Sequence, residues 1–234
     1  MIIGFVGLIG SGKDTAADYL VNFHGFRRDS FASTLKDAVA NVFGWDRTLL
    51  EGRTSEARKW REQIDPWWAQ RLGMPHLTPR WILQYWGTEV VREGFHDDMW
   101  IASLENKMRK TQDDIVISDV RFPNEIKAIH NSGGMVVRIK RGEDPEWFID
   151  AEHYNRGPDG NIDWALSKKR LDNHNVHSSE YSWIGCPIDQ TVFNDSTIDQ
   201  LFDQIKNLVL DRLDAKESQD LVKDVGSLHT LILD

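Results

Sequence analysis

Nine residues near the N-terminus, Gly7-Leu8-Ile9-Gly10-Ser11-Gly12-Lys13-Asp14-Thr15, constrain this chain more than any other stretch. They follow the apolar run Ile2–Val6, which is short and bounded by a glycine and so reads as a buried strand. Behind them Ala16, Leu20 and Phe23 recur on one face, predicting a helix over about 12–22. Between a strand and a helix, the spacing Gly7…Gly12-Lys13 fits a Walker A loop in every place but the last. Such a loop turns its N–H groups inward around a phosphate, an approach that a Cβ would obstruct, and the helix aims its dipole at the same anion. Gly10, Ser11 and Gly12 would supply those N–H groups to ATP, and Lys13 would bridge its β- and γ-phosphates. Asp14 stands where Ser or Thr usually follows the lysine, which makes Thr15 the natural hydroxyl to face Mg²⁺. The plain alternative is a glycine-rich turn with an incidental lysine; the strand before it and the helix after it speak against that.

The rest of the chain alternates strand and helix signals. A short strand is expected at 29–31, then a helix carrying Leu35, Val39, Val42 and Phe43 with Gly44 as its stop. Residues 45–78 are polar and tryptophan-bearing without a strand period, which suggests helices and loops beside the sheet. Thr78-Pro79 starts a helix holding Ile82, Tyr85 and Trp86, and another is expected near 100–109. Ile115–Ile117 and Met135–Ile139 read as buried strands around a helix with Ile126 and Ile129, the order of a parallel sheet with crossovers. Residues 141–180 lose apolar rhythm and contain several glycines, as a lid or an irregular insertion does. A last strand near 191–193 leads to a helix with Ile198, Leu201, Ile205 and Leu208 on one face, followed by a charged tail over about 214–234. The expected architecture is α/β: one domain with a parallel sheet flanked by helices, a helical acceptor-binding insert over about 45–110 and a lid over about 141–180.

Composition narrows the function. At 234 residues a single core needs neither disulfide nor structural metal. The net charge of -9 argues against stable nucleic-acid binding through backbone phosphates, while leaving room for one basic pocket. One cysteine, Cys186, permits no internal disulfide, and the N-terminus lacks a basic leader. A cytoplasmic chain without a membrane span is the expectation, and association into a homodimer stays open.

A second cluster, Ser118-Asp119-Val120-Arg121, ends a buried strand, where ligands of open α/β sheets gather. Asp119 could hold Mg²⁺ or its water, or accept a proton from the acceptor; Arg121 could form a fork to a phosphate. An ordinary surface pair of Asp and Arg is the alternative. Gln84 and Thr88, at i,i+4, could both reach a base edge, or simply anchor their helix.

These residues resemble the deoxynucleoside monophosphate kinases of tailed bacteriophages, within the wider P-loop nucleotide kinase group. The resemblance rests on Ser11–Thr15, on Ala32 with Leu35-Lys36-Asp37, on Leu83–Thr88, and on Asp119-Val120-Arg121 with Glu125. Arg141 at a strand end, His177-Ser178-Ser179-Glu180 and Asn194-Asp195 complete it. It implies a P-loop NTPase-like fold and ATP- and Mg²⁺-dependent transfer to a (deoxy)nucleoside monophosphate. By position, Arg141 goes with ATP, Arg121 with the acceptor phosphate, Lys36 and Arg58 with the acceptor side, and Ser179 and Glu180 with the pocket after the lid. The stretch 144–176 is longer than the resemblance leads one to expect. Kinases of another phosphorylated acceptor, of the phosphomevalonate or dephospho-coenzyme A type, are the rival reading, as is a nucleotide-binding factor without turnover.

Overall fold

The computed structural model describes residues 1–159 and 163–213; the expected C-terminal tail lies outside them. Five strands, β1 (Ile2–Val6), β2 (Arg27–Asp29), β3 (Ile115–Ile117), β4 (Met135–Lys140) and β5 (Gln190–Phe193), form one sheet in the order β2-β3-β1-β4-β5. Every pairing is parallel, with Gly4 of β1 opposite Ile117 of β3 on one side and Val136 of β4 on the other. Parallel neighbours need crossovers, and helices supply them: α1 (Lys13–Phe23), α2 (Ser33–Phe43), α3 (Arg47–Glu51), α4 (Ser55–Arg61), α5 (Pro66–Leu72), α6 (Pro79–Tyr85), α7 (Met99–Met108) and α8 (Pro123–Asn131). Then come α9 (Trp147–Asn155), α10 (Trp164–His174), α11 (Ser178–Tyr181) and α12, described over 198–213.

The apolar strands face two cores, one on each side of the sheet. On one side Phe5, Val137 and Ile139 meet Ala16, Ala17 and Leu20 of α1 and Leu201, Ile205 and Leu208 of α12. On the other, Val6, Ile117 and Val136 meet Leu104, Ile126, Ile129, Ala151, Leu171 and Trp183. Phe23 does not join α1's buried face; it is exposed and lies beside Tyr19, with ring centroids 5.3 Å apart.

A third core, shared between α2 and the helices that follow it up to α7, holds most of the tryptophans. Trp45 and Trp100 are buried there with Leu50, Leu77 and Ile82, and Trp60, Trp68, Trp81 and Trp86 pack against them. An indole buries cheaply only when its N–H is bonded. Trp45 Nε1 donates to Asp65 Oδ2 at 2.8 Å, Trp68 Nε1 to the Phe43 carbonyl at 3.0 Å, and Trp100 Nε1 to the Gly87 carbonyl at 2.9 Å. Asp65 and Thr78 cap α5 and α6 through their side chains, each with proline at the first position. Beyond Tyr85 the helix widens into a π-helix over Trp86–Glu93, which no sequence signal announced.

The described residues of 141–180 are largely helical, despite the missing apolar rhythm. A helical hairpin, α9 and α10, sinks Ala151 and Leu171 into the main core, with Trp147, Phe148 and Tyr154 packed beside them. That stripe is narrow, only a few apolar residues among many charges, which is why the sequence reads as loop. Buried Asp150 is paired with Arg170 at 2.9 Å, and Asn155 donates to the carbonyls of Tyr181 and Ile184, tying the hairpin to α11 and the turn after it.

The loop after β1 is pressed onto the end of β4. Gly7 has φ 142°, and a Cβ there would meet the Ile139 carbonyl oxygen at 2.3 Å and Ser11 Oγ at 2.9 Å. Gly7→Ala combines a strained backbone with a steric overlap, and should lower unfolding free energy by at least about 2 kcal/mol in urea titration.

Candidate active site

The phosphate loop is fastened from three sides. Gly7, Gly10 and Gly12 all have positive φ, and Asn194, just after β5, donates to the Ser11 carbonyl at 2.9 Å. A Cβ on Gly12 would meet Asn194 Nδ2 at 2.4 Å. Lys13 Nζ donates to the carbonyls of Gly7 at 2.7 Å and Leu8 at 2.9 Å, which hold the ammonium across the loop. Burial, and then the nearby Arg121 guanidinium, lower its pKa. Ser11 is buried, and its Oγ has no hydrogen-bond partner.

Three cavities meet at Asp119. One, of about 190 Å³, is bounded by the phosphate loop, Lys13, Asp14, Arg121, Ser179, Glu180 and Trp183. A second, of about 430 Å³, is lined almost wholly by polar groups from α1 to α4, among them Arg28, Lys36, Glu51 and Arg58. The third, of about 250 Å³, has an apolar floor of Phe31, Leu35, Leu83 and Trp100, and Thr88, Arg92, Arg121 and Glu125 at its sides. Asp119 lines all three, and Arg121 lines the first and third.

Asp119 is only partly buried as a residue, but its Oδ1 is enclosed and unpartnered. Desolvation pushes its carboxyl up to about 6, with Lys36 and Arg121 pulling the other way. Arg121 Nη1 donates to Ser179 Oγ at 3.2 Å and Glu180 Oε1 at 3.3 Å, so α11 reaches the cavity at the loop after β1. Lys36 is paired with Glu51 at 2.7 Å, and Arg58 donates to the Arg53 carbonyl at 3.1 Å.

The residues singled out in the sequence are thus divided among neighbouring cavities. Lys13, Arg121, Ser179 and Glu180 meet at the loop, Lys36 and Arg58 in the polar cavity, and Thr88 in the apolar-floored one. Three stand apart. Gln84 is exposed and lines none of these three cavities, because it is one residue, about a quarter turn, beyond cavity-facing Leu83. Thr15 is exposed and lines none either; Asp14, one residue earlier on α1, faces both the loop cavity and the polar one. Arg141 is exposed just beyond β4, where Gly142 N donates to Asp195 Oδ1 at 2.5 Å.

Arg92 was missed altogether. It lies nine residues past Leu83, which in an α-helix is about two and a half turns and the opposite face. The wider π turn brings it round to the same cavity. The fine role of Glu125 was also invisible: its Oε2 accepts from the N–H groups of Arg121 at 2.8 Å and Phe122 at 3.2 Å, capping α8 and fixing the Arg121 backbone.

Burial, and then the Asp119 charge, push the Glu125 carboxyl from its ordinary 4.5 up to about 7, against the pull of those two N–H bonds. Because the folded chain holds this proton more tightly than the unfolded one, stability present below the ordinary value is lost as pH rises through about 7. Glu125→Gln cannot titrate, and its amide oxygen can still accept both bonds. Urea midpoints taken at about pH 5 and about pH 7.5 should therefore shift less in the variant than in the wild type.

No family model matches the chain. It is 35% identical over 155 residues to a protein of Acanthamoeba polyphaga mimivirus provisionally named a deoxynucleotide monophosphate kinase, covering 60% of this chain and 74% of that one. The deoxynucleoside-5'-monophosphate kinase of Escherichia phage T5 is 26% identical over 174 residues, covering 53% of this chain and 70% of that one. Among solved structures, a gluconokinase from Sinorhizobium meliloti 1021 aligns over 92% of this chain and 96% of its own at 14% identity, with a TM-score of 0.36. Dephospho-CoA kinase from Campylobacter jejuni aligns over 90% and 96% at 15% identity, with a TM-score of 0.38, and likenesses this remote bear no further weight. The identity and coverage shared with the mimivirus protein decide the matter: this chain belongs to the deoxynucleotide monophosphate kinase family.

Proposed function

We propose that the chain transfers the γ-phosphoryl group of ATP to a deoxynucleoside monophosphate, giving the diphosphate and ADP. The observation that carries this reading is the meeting, at Asp119, of the phosphate-loop cavity with a second cavity that has an apolar floor and a guanidinium shared between the two. ATP phosphates are assigned to Gly10, Ser11, Gly12 and Lys13, and Arg141, exposed just beyond β4, is assigned to the donor on the strength of the family resemblance. The acceptor's base and sugar fit the floor of Phe31, Leu35, Leu83 and Trp100 with Thr88 at its edge, and its phosphate lies within reach of Arg121. Lys36 and Arg58 flank the acceptor from the polar cavity. Gln84 is left without a role in this assignment.

An oxygen of the acceptor phosphate attacks the γ-phosphorus while the bond to the β–γ bridging oxygen breaks, and ADP leaves. The acceptor is already ionised at neutral pH, so no strong base is required. Positioning and charge stabilisation do the catalysis, with Lys13 and Arg121 placed on the two sides of the transferred group. The unpartnered Oδ1 of Asp119 beside the loop fits a metal-facing group. Mg²⁺, when bound with ATP, neutralises charge on the transferring phosphates. Ser179 and Glu180 tie Arg121 to the α9–α11 arm, which covers the phosphate side and limits water there.

ADP release should be measured with each deoxy- and ribonucleoside monophosphate in turn. Turnover with at least one deoxynucleoside monophosphate is expected; turnover with none of them, or only with an unrelated phosphorylated acceptor, defeats the reading. Lys13→Ala should cut kcat by roughly a hundredfold or more, as loss of a transition-state donor does. Arg121→Lys keeps the charge and loses the fork, so kcat/KM for the acceptor should fall as for a loss of about 2–5 kcal/mol. ATP affinity by calorimetry should change much less, and the opposite pattern would move Arg121 to the donor site.

A further inference from the structure

A Walker-type site usually holds its cation with a hydroxyl on the residue after the lysine and a carboxylate from a neighbouring strand. In this chain the residue after Lys13 is Asp14, and the residue directly after β3 is Ser118. The two are in contact: Ser118 Oγ donates to Asp14 Oδ1 at 3.1 Å. A carboxylate thus stands where the hydroxyl usually does and is bonded by a hydroxyl from the end of the neighbouring strand, with Asp119 one residue further on.

Several observations point the same way. Asp14 and Ser118 both line the loop cavity and the polar cavity, together with Asp119, whose enclosed Oδ1 has no partner. The Asp14 side chain is 83% exposed toward the cleft, so a ligand can reach it. Thr15 lines neither cavity. Arg28 supplies the local countercharge, with Nη2 at 3.2 Å from Asp14 Oδ1 and Nη1 at 3.3 Å from Asp18 Oδ1. Among the described residues no group of three His, Cys, Asp or Glu side chains could hold a metal by itself. Mg²⁺ does not require such a cage, being commonly bound by one or two carboxylates together with substrate phosphates.

We propose that the Mg²⁺ accompanying the donor nucleotide is held by the Asp14 carboxylate, oriented by Ser118, and not by Thr15. The proposal rests on the donor-site reading given above. A carboxylate in this place has a consequence that a hydroxyl lacks. Without a cation it repels the nucleotide's phosphates; with one it binds them through the metal. Nucleotide affinity is thereby coupled to metal through this one side chain.

The test is calorimetric titration of ADP into the full chain, once with saturating Mg²⁺ and once with EDTA. The ratio of the two affinities measures the coupling, and no turnover is involved. Wild type should bind ADP more tightly with metal. In Asp14→Asn the ratio should fall by about tenfold or more, while affinity in EDTA stays level or rises because a repelling charge is gone. A merely structural role would weaken both affinities together. Thr15→Val should keep the wild-type ratio even if both its affinities drop. Thermal melts confirm that each variant is folded. An Asp14→Asn ratio within about twofold of wild type, or a ratio lost in Thr15→Val instead, overturns the metal assignment and leaves the donor site standing. Wild type that binds no ADP under either condition overturns both.

Discussion

Because all five strands run in the same direction, all five must end at one edge of the sheet, and the site depends on that constraint. From that edge come the phosphate loop after β1, Asp29 and Ser30 at β2, Ser118 to Arg121 after β3, Arg141 after β4 and Asn194 after β5. Parallel strands allow no hairpins, so each return path is a helix on one face or the other, leaving the edge free for ligands. The loop is then locked into the edge by Gly7, packed against the β4 backbone too closely for a side chain, and by the Asn194 amide beside Gly12.

The electrostatics follow from this crowding. A chain of net charge -9 concentrates Lys13, Lys36, Arg92 and Arg121 around one junction, close enough that Arg121 lowers the pKa of Lys13. Carboxylates are interleaved with them: Glu51 beside Lys36, Glu180 beside Arg121, and Asp119 and Glu125 held partly in their acid forms by burial. The charges of the cleft are thus largely offset from within it.

Local signals were legible in the sequence. The loop's glycines, the Thr78-Pro79 helix start, the Gly44 stop and the apolar run of β3 all depend on neighbours within a few residues, and the structure has each where its residues put it. The parallel sheet followed from their order. What stayed hidden depends on distant packing. The α9–α10 hairpin rests on a thin apolar stripe that gains meaning only against the core, and the division of site residues among three cavities is set by how α2, α7 and β3 come together. Gln84 and Thr15 show the limit at finer scale: on a helix, one position decides whether a side chain faces the cleft or the solvent.

The π-helix at Trp86–Glu93 carries that lesson into the chain's length. A π segment is an α-helical stretch with a surplus residue, here stabilised where the buried Trp100 indole bonds the Gly87 carbonyl. Rewound as an α-helix at unchanged length, this stretch would carry Arg92 to the opposite face, whereas removing one residue at the same time would leave it eight residues, about 2.2 turns, past Leu83 and near the cavity. Winding and residue count in this segment therefore act together as a setting of the site: they determine which side chains face the cavity, independently of what those side chains are.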